Sequence, residues 1–317
     1  MTEAVAGIDV GGTKIAVTLE SMGGERIAAR RFPTLAELGP EAILGNIAGA
    51  VAEMSAEARV NVLAVGLGCP GSADKERGTV LNPINLPGWH GFPVVRTIEE
   101  LLKVPAAIEN DAKLAALGEH AHGAGRGFTD IVYLTISTGV GGGVIVNNQL
   151  LRRLGAGEIG HMTVLPDGPP CGCGSRGCLD ALCSGTAIAR RARELIAAGE
   201  TSVITQLVAG PEKITARTVA EAARNGDALA GRVWDEMIHY LSIGVGNVIT
   251  ILAPEAVVLG GGVASSGEQL LGPLRPLVVQ RATMIPVESV RILQAALGGE
   301  SGIHGALVLA RQVLSTP

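Results

Sequence analysis

The chain of 317 residues is 47% hydrophobic and 17% charged, too apolar for a disordered polypeptide and long enough for one large core or two ordinary ones. Its formal charge of −5 offers no general basic field for nucleic acid or an anionic membrane, so the expected partner is a small polar molecule. Five cysteines, an odd number, argue against a disulfide framework, and the opening MTEAVAGIDV lacks the basic and apolar regions of a secretory signal, so a cytoplasmic location is expected.

Residues 5–20, VAGIDVGGTKIAVTLE, read as an apolar strand, a glycine-rich turn and a second strand with Ile15, Val17 and Leu19 on one face. Alternation of period two after the glycines predicts a hairpin, whereas a Rossmann or Walker loop leads into a helix. Helical patterns follow at 40–59 and 97–102, with short strands at 62–67 and 106–109. The literal GxGxxG from Gly66 to Gly71 contains Pro70 and runs into the polar SADKERG, which predicts a loop open to close backbone approach rather than a dinucleotide fingerprint. A helix, DAKLAALGEHA, begins at Asp111, where the domain boundary is expected.

Residues 131–148, IVYLTISTGVGGGVIVNN, repeat the order of strand, glycine turn and strand. Helices are predicted near 185–198, 218–225 and 228–252, a strand at 256–259 and a last helix at 302–314. The apolar stretch 241–264 is cut by Pro254 and Glu255, so it reads as a buried helix followed by a buried strand, not a membrane span. Strands alternate with helices, which places the chain in the α/β class, and the repeated hairpin suggests a duplicated domain with a cleft between the halves.

A turn such as DVGGTK gathers backbone N–H groups at one point with no side chains in the way, which suits a phosphate. Asp9 before the glycines makes sense if a magnesium ion lies between it and the phosphate, and Thr13 and Lys14 add donors. STGVGGG supplies a second such loop. The third run, VVLGGGV with Gly260, Gly261 and Gly262, either lets a flat ring or ribose approach the backbone or simply ends a strand. Asp111 is either a helix N-cap or a carboxylate that takes a proton from a hydroxyl, with Asn110 orienting the same substrate. His161, Cys171, Cys173 and Cys178 offer one imidazole and three thiolates to a closed tetrahedral zinc, structural because no position is left for water. Cys69 and Cys183 read as buried, inert thiols.

Together GIDVGGTK, NLPGW at 85–89, IENDA, STGVGGG, EIGH with its CxCxxxxC cluster and VVLGGGV resemble the ROK family of repressors and sugar kinases. The resemblance spans nearly the whole chain. It implies duplicated ribonuclease H-like domains of the actin-like ATPase fold, one lobe from residues 1–110 plus 301–317 and the other from 111–300. It further implies transfer of the ATP γ-phosphoryl group to a hexose, most simply glucose, with N-acetylmannosamine or another N-acetylhexosamine next and then fructose. Asp111 resembles the catalytic base, and Gly71, Asn110, Glu158, His161 and Asp180 the sugar contacts. Asp9, Gly11, Gly12, Thr13, Lys14, Thr138 and Gly139 would hold phosphates, and Gly260, Gly261 and Gly262 would flank the adenosine. ATP, magnesium and structural zinc are the implied cofactors, and a homodimer the implied assembly. Polyphosphate is an alternative donor. A sugar-sensing regulator is the alternative that is not an enzyme, but such relatives carry an N-terminal helix-turn-helix, for which a first phosphate loop beginning by Asp9 is expected to leave no room. Asp180 stands where sugar kinases of this family usually have Glu, and NDAK with Lys113 replaces the usual NDAN.

Overall fold

The computed structural model describes residues 1–83, 85–286 and 289–315. The chain begins with β1 (Thr2–Val10), β2 (Lys14–Ser21) and β3 (Arg26–Pro33), then α1 (Gly39–Ala58) and β4 (Val60–Cys69). A small hairpin of β5 (Ser72–Asp74) and β6 (Thr79–Leu81) precedes α2 (Val94–Leu102), β7 (Ala106–Asn110) and α3 (Asp111–His122). Next come β8 (Ile131–Ile136), β9 (Val140–Val146) and β10 (Gln149–Leu150), followed by α4 (Leu179–Cys183), α5 (Gly185–Ala197), α6 (Ile204–Leu207), α7 (Ala216–Arg224) and α8 (Ala228–Leu252). The last elements are β11 (Ala256–Gly260), α9 (Gly261–Ala264), α10 (Glu268–Arg281), β12 (Arg291–Gln294) and α11 (Ser301–Leu314).

Two five-stranded sheets have the orders β3-β2-β1-β4-β7 and β10-β9-β8-β11-β12. Counted within each sheet, both read 3-2-1-4-5, so the duplication expected from the two glycine-rich hairpins extends to whole sheets. In each, the fourth strand runs parallel to both the first and the fifth. Both glycine turns join the first strand of a sheet to its second, and neither leads into a helix.

The chain divides into two compact units, one of Met1–Gly127, Gly143–Ala156 and Gly299–Pro317, the other of Phe128–Gly142 and Gly157–Gly298. This differs from a boundary at Asp111, because α3 packs against α11 and stays in the first unit. The packing is close: a Cβ on Gly118 of α3 would overlap the Ser301 carbonyl, and one on Gly305 of α11 would overlap that of Leu114. The other face of the first sheet carries α1, whose Ile43, Leu44, Ile47, Val51 and Met54 recur at helical spacing and are buried with Ile8, Ile15, Val17 and Leu67. Trp89 of NLPGW belongs to the same core.

In the second unit the apolar stretch 241–264 falls on α8 and β11, as its interruption predicts, and ends in the short α9. Asp227 caps α8 by accepting from the Ala230 N–H, and Ala253 ends it in the left-handed region just before Pro254. Among the described residues, no helix is long and apolar enough to cross a membrane. One element the residues concealed is α10, which carries Pro273 and Pro276 inside it.

Lys113 is buried in the first unit. Its Nζ lies 3.7 Å from Glu109 Oε1, while Arg152 Nε donates to Glu109 Oε2 at 2.8 Å. A buried carboxylate with two cationic partners makes its removal costly, because both cations would be left without a counter-charge. Glu109→Ala is expected to destabilise the protein by about 3–5 kcal/mol in urea unfolding, and Lys113→Met, which leaves Glu109 paired with Arg152, by clearly less.

Candidate functional site

The first unit assembles Asp9, Gly11, Gly12, Thr13, Lys14, Gly71, Asn110 and Asp111. The DVGGTK turn closes through Gly11 N–H to the Lys14 carbonyl at 3.0 Å, and the Thr34 hydroxyl donates to the Gly11 carbonyl at 2.6 Å. Asn85 of NLPGW lies against the turn, 3.0 Å from where a Cβ on Gly12 would stand. Nothing in its sequence neighbourhood pointed to that contact, and its positive φ of 67° is what brings it there.

The helix-cap reading of Asp111 is corrected by one residue. Asn110 is the N-cap of α3, its side-chain oxygen accepting from the Ala112 and Lys113 N–H groups, and Asp111 is the first helical residue. The Asn110 amide also donates to the Gly71 carbonyl and to Asp111 Oδ1, both at 3.0 Å. Asn110 therefore fixes the loop at Gly71 and the carboxylate beside it, while Asp111 Oδ1 also accepts the Ala112 N–H at 2.8 Å. Burial pushes the Asp111 carboxyl up to about 6, opposed by the Ala112 N–H and assisted by the nearby charge of Asp9. Burial also raises Asp9, against the pull of Lys14 and Arg31. The charge of Asp9 is felt at Asp111, an arrangement whose chemistry suits a cation or a proton.

The second unit holds Thr138, Gly139, Glu158, His161, Asp180, the cysteine cluster and the third glycine run. Glu158 precedes a short 3-10 turn, Ile159–His161, and both Glu158 and His161 are exposed. Their spacing is set by the turn itself, with the His161 N–H donating to the Glu158 carbonyl at 3.0 Å.

The donor atoms of His161, Cys171, Cys173 and Cys178 all lie within 4.8 Å of one another. Two separations test the metal: Cys171 Sγ to His161 Nδ1 is 3.6 Å and Cys173 Sγ to Cys178 Sγ is 3.7 Å. A tetrahedral zinc with Zn–S of about 2.3 Å and Zn–N of about 2.0–2.1 Å has edges of roughly 3.5–3.8 Å. The group fits zinc, with Nδ1 as the histidine ligand. Cys69 and Cys183 are buried with thiols pushed well up by desolvation, as inert cysteines should be.

A cavity of about 880 Å³ opens within this unit, lined by Ser137 and Thr138 of the second glycine turn, by Gly262, and by Arg217, Ala220, Glu221 and Arg224 of α7. Its size and cationic lining suit a nucleotide. The three glycines at 260–262 separate here. A Cβ on Gly260 would overlap the Tyr133 ring, and one on Gly261, where φ is +86°, would meet the Ile136 carbonyl at 2.5 Å, so both are needed for packing on β8. Gly262 lines the cavity. The contribution of α7 escaped the sequence reading, because its arginines and alanines have the pattern of an ordinary surface helix.

With this geometry the chain can be compared with known proteins. The ROK family profile matches residues 5–313, and the chain belongs to the ROK family. It is 39% identical over 308 residues to a glucokinase of Thermotoga maritima, covering 96% of each. Its fold superposes on the crystal structure of a ROK family glucokinase from Streptomyces griseus in complex with glucose and AMPPNP, with a TM-score of 0.81 and 36% identity over 98% of this chain and 99% of that one. A ROK hexokinase from Thermus thermophilus gives a TM-score of 0.83 at the same identity and coverage. The duplicated actin-like ATPase fold is thereby established.

Zinc analysis of the purified protein is expected to return one equivalent per chain. Cys173→Ser should lose most of it and lower the melting temperature; a wild-type protein without zinc and with an unchanged melting temperature would refute the structural role.

Proposed function

We propose that this protein transfers the γ-phosphoryl group of ATP to a hexose hydroxyl, with glucose as the preferred acceptor and glucose 6-phosphate as product. The observation that carries the reading is the Asp111 carboxyl, held by Asn110 at the start of α3 and raised to about 6 by burial. That places it in reach of deprotonation near neutral pH while keeping it basic enough to accept a proton, which is what a general base requires.

As the hydroxyl oxygen forms its bond to the γ-phosphorus, the bond from that phosphorus to the β,γ-bridging oxygen breaks and ADP leaves. The hydroxyl proton passes to Asp111. Asn110 keeps the carboxylate in one rotamer and is a positioning residue. Glu158, His161 through Nε2, Asp180 and the backbone of Gly71 are the proposed sugar contacts. The DVGGTK and STG turns are the proposed phosphate sites, and the α7-lined cavity with Gly262 the proposed seat of the nucleoside. A magnesium ion, when bound with ATP, offsets phosphate charge, and Asp9 is the residue proposed to hold it through its carboxylate.

The shorter acid at 180 and Lys113 bear on which hexose is preferred. Glucose, mannose, fructose, N-acetylglucosamine and N-acetylmannosamine, each assayed with ATP and with polyphosphate, should rank glucose with ATP first by kcat/KM. A higher value for N-acetylmannosamine would make the protein an N-acetylhexosamine kinase. No turnover of any sugar, with sugar binding intact, would make it a sensor.

Asp111→Asn is expected to lower kcat by about 10²- to 10⁴-fold. In the wild type, kcat/KM should rise with pH through an apparent pKa of about 6 as Asp111 ionises. The same raised pKa means the folded state binds more protons than the unfolded state between the ordinary carboxylate range and about 6. Its contribution to stability therefore grows as pH falls through that window, and Asp111→Asn should raise the melting temperature at pH 7. A variant with near wild-type turnover overturns the base assignment.

A further inference from the structure

The second glycine turn is gripped from behind by the segment that follows the cysteine cluster, and one of these grips is unlike the others. The Gly185 N–H donates to the Ser137 carbonyl and the Thr186 hydroxyl to the Thr138 carbonyl, both at 2.7 Å. Asp180 instead brings a side-chain carboxylate to the turn, Oδ1 accepting the Val140 N–H at 2.7 Å. A bond from a backbone N–H to an ionised acceptor is among the stronger ones available. The approach is possible because position 139 has no side chain: a Cβ on Gly139 would stand 3.0 Å from that oxygen.

The base of the carboxylate is itself fixed. Asp180 lies in the first turn of α4, two residues after Cys178, and the preceding Leu179 is buried with its N–H donating to the Met162 carbonyl at 2.9 Å. A short, anchored acid reaches the backbone of the turn and holds it at the Val140 N–H, just after Gly139.

We propose that Asp180 is a positioning residue for the second phosphate loop, tying the zinc knuckle to the backbone that receives the nucleotide. This rests on the kinase reading, and it gives the missing methylene at position 180 a purpose on the nucleotide side, separate from sugar recognition.

The decisive measurement is the affinity for AMPPNP in the absence of sugar, by calorimetry on zinc-loaded protein, because a residue that only touches sugar cannot alter it. Asp180→Ala should weaken AMPPNP about tenfold, and Asp180→Asn, which keeps a neutral acceptor, about two- to threefold. Hydrogen exchange of the Val140 amide should accelerate in the same order, with zinc content unchanged. Wild-type affinity and wild-type Val140 protection in Asp180→Ala would overturn the proposal and leave Asp180 a sugar contact. Loss of zinc together with loss of affinity would also overturn it, in favour of collapse of the knuckle. A wild-type protein that fails to bind AMPPNP would defeat the kinase reading instead, and Val140 exchange in the variants would still decide whether Asp180 holds the turn.

Discussion

The first unit depends on how closely α11 lies against β4 and α3. A Cβ on Gly66 of β4 would overlap the Ala306 carbonyl, and Gly118 and Gly305 admit the same backbone-to-backbone approach between α3 and α11. The start of α11 also reaches Asp9, whose carboxylate is 3.4 Å from where a Cβ on Gly302 would stand. Water is thereby excluded from one side of Asp9, and the same closeness holds α3, whose first residue is Asp111. The raised pKa values of both acids follow from this packing as much as from local sequence.

The second unit solves a similar problem without a large apolar core at the relevant place. The stretch from Pro166 to Cys178 is rich in glycine and proline and has little to bury. Four donors that fit zinc gather there, and Leu179, wholly buried, joins the cluster to the helices behind it. A rigid base of this kind suits the placing of Glu158, His161 and Asp180, which are exposed or partly buried polar groups that need orientation without a surrounding core.

Much of this was legible because it rests on local rules. Period-two alternation after glycines identified both hairpins, and the donor types and spacing of the cysteine cluster identified a group of four donors that fits zinc. Other features depended on tertiary context. Asn110 and Asp111 are both good capping residues, and only the direction of their side chains decides which one caps. Gly260, Gly261 and Gly262 look alike in sequence, yet two make room for Tyr133 and Ile136 while the third borders a cavity. Pro273 and Pro276 hid a helix that packing sustains, and Asn85 reaches Gly12 only through its left-handed backbone.

The division of the chain has a consequence for the order in which the protein is made. Residues 157–298 of the second unit are continuous, whereas the first unit needs residues 299–317 to receive α11. During synthesis the second unit can therefore finish while the first still exposes the glycine-lined faces of β4 and α3. Residues made early therefore belong to the unit that closes late, and the covering of Asp9 by Gly302 waits on α11.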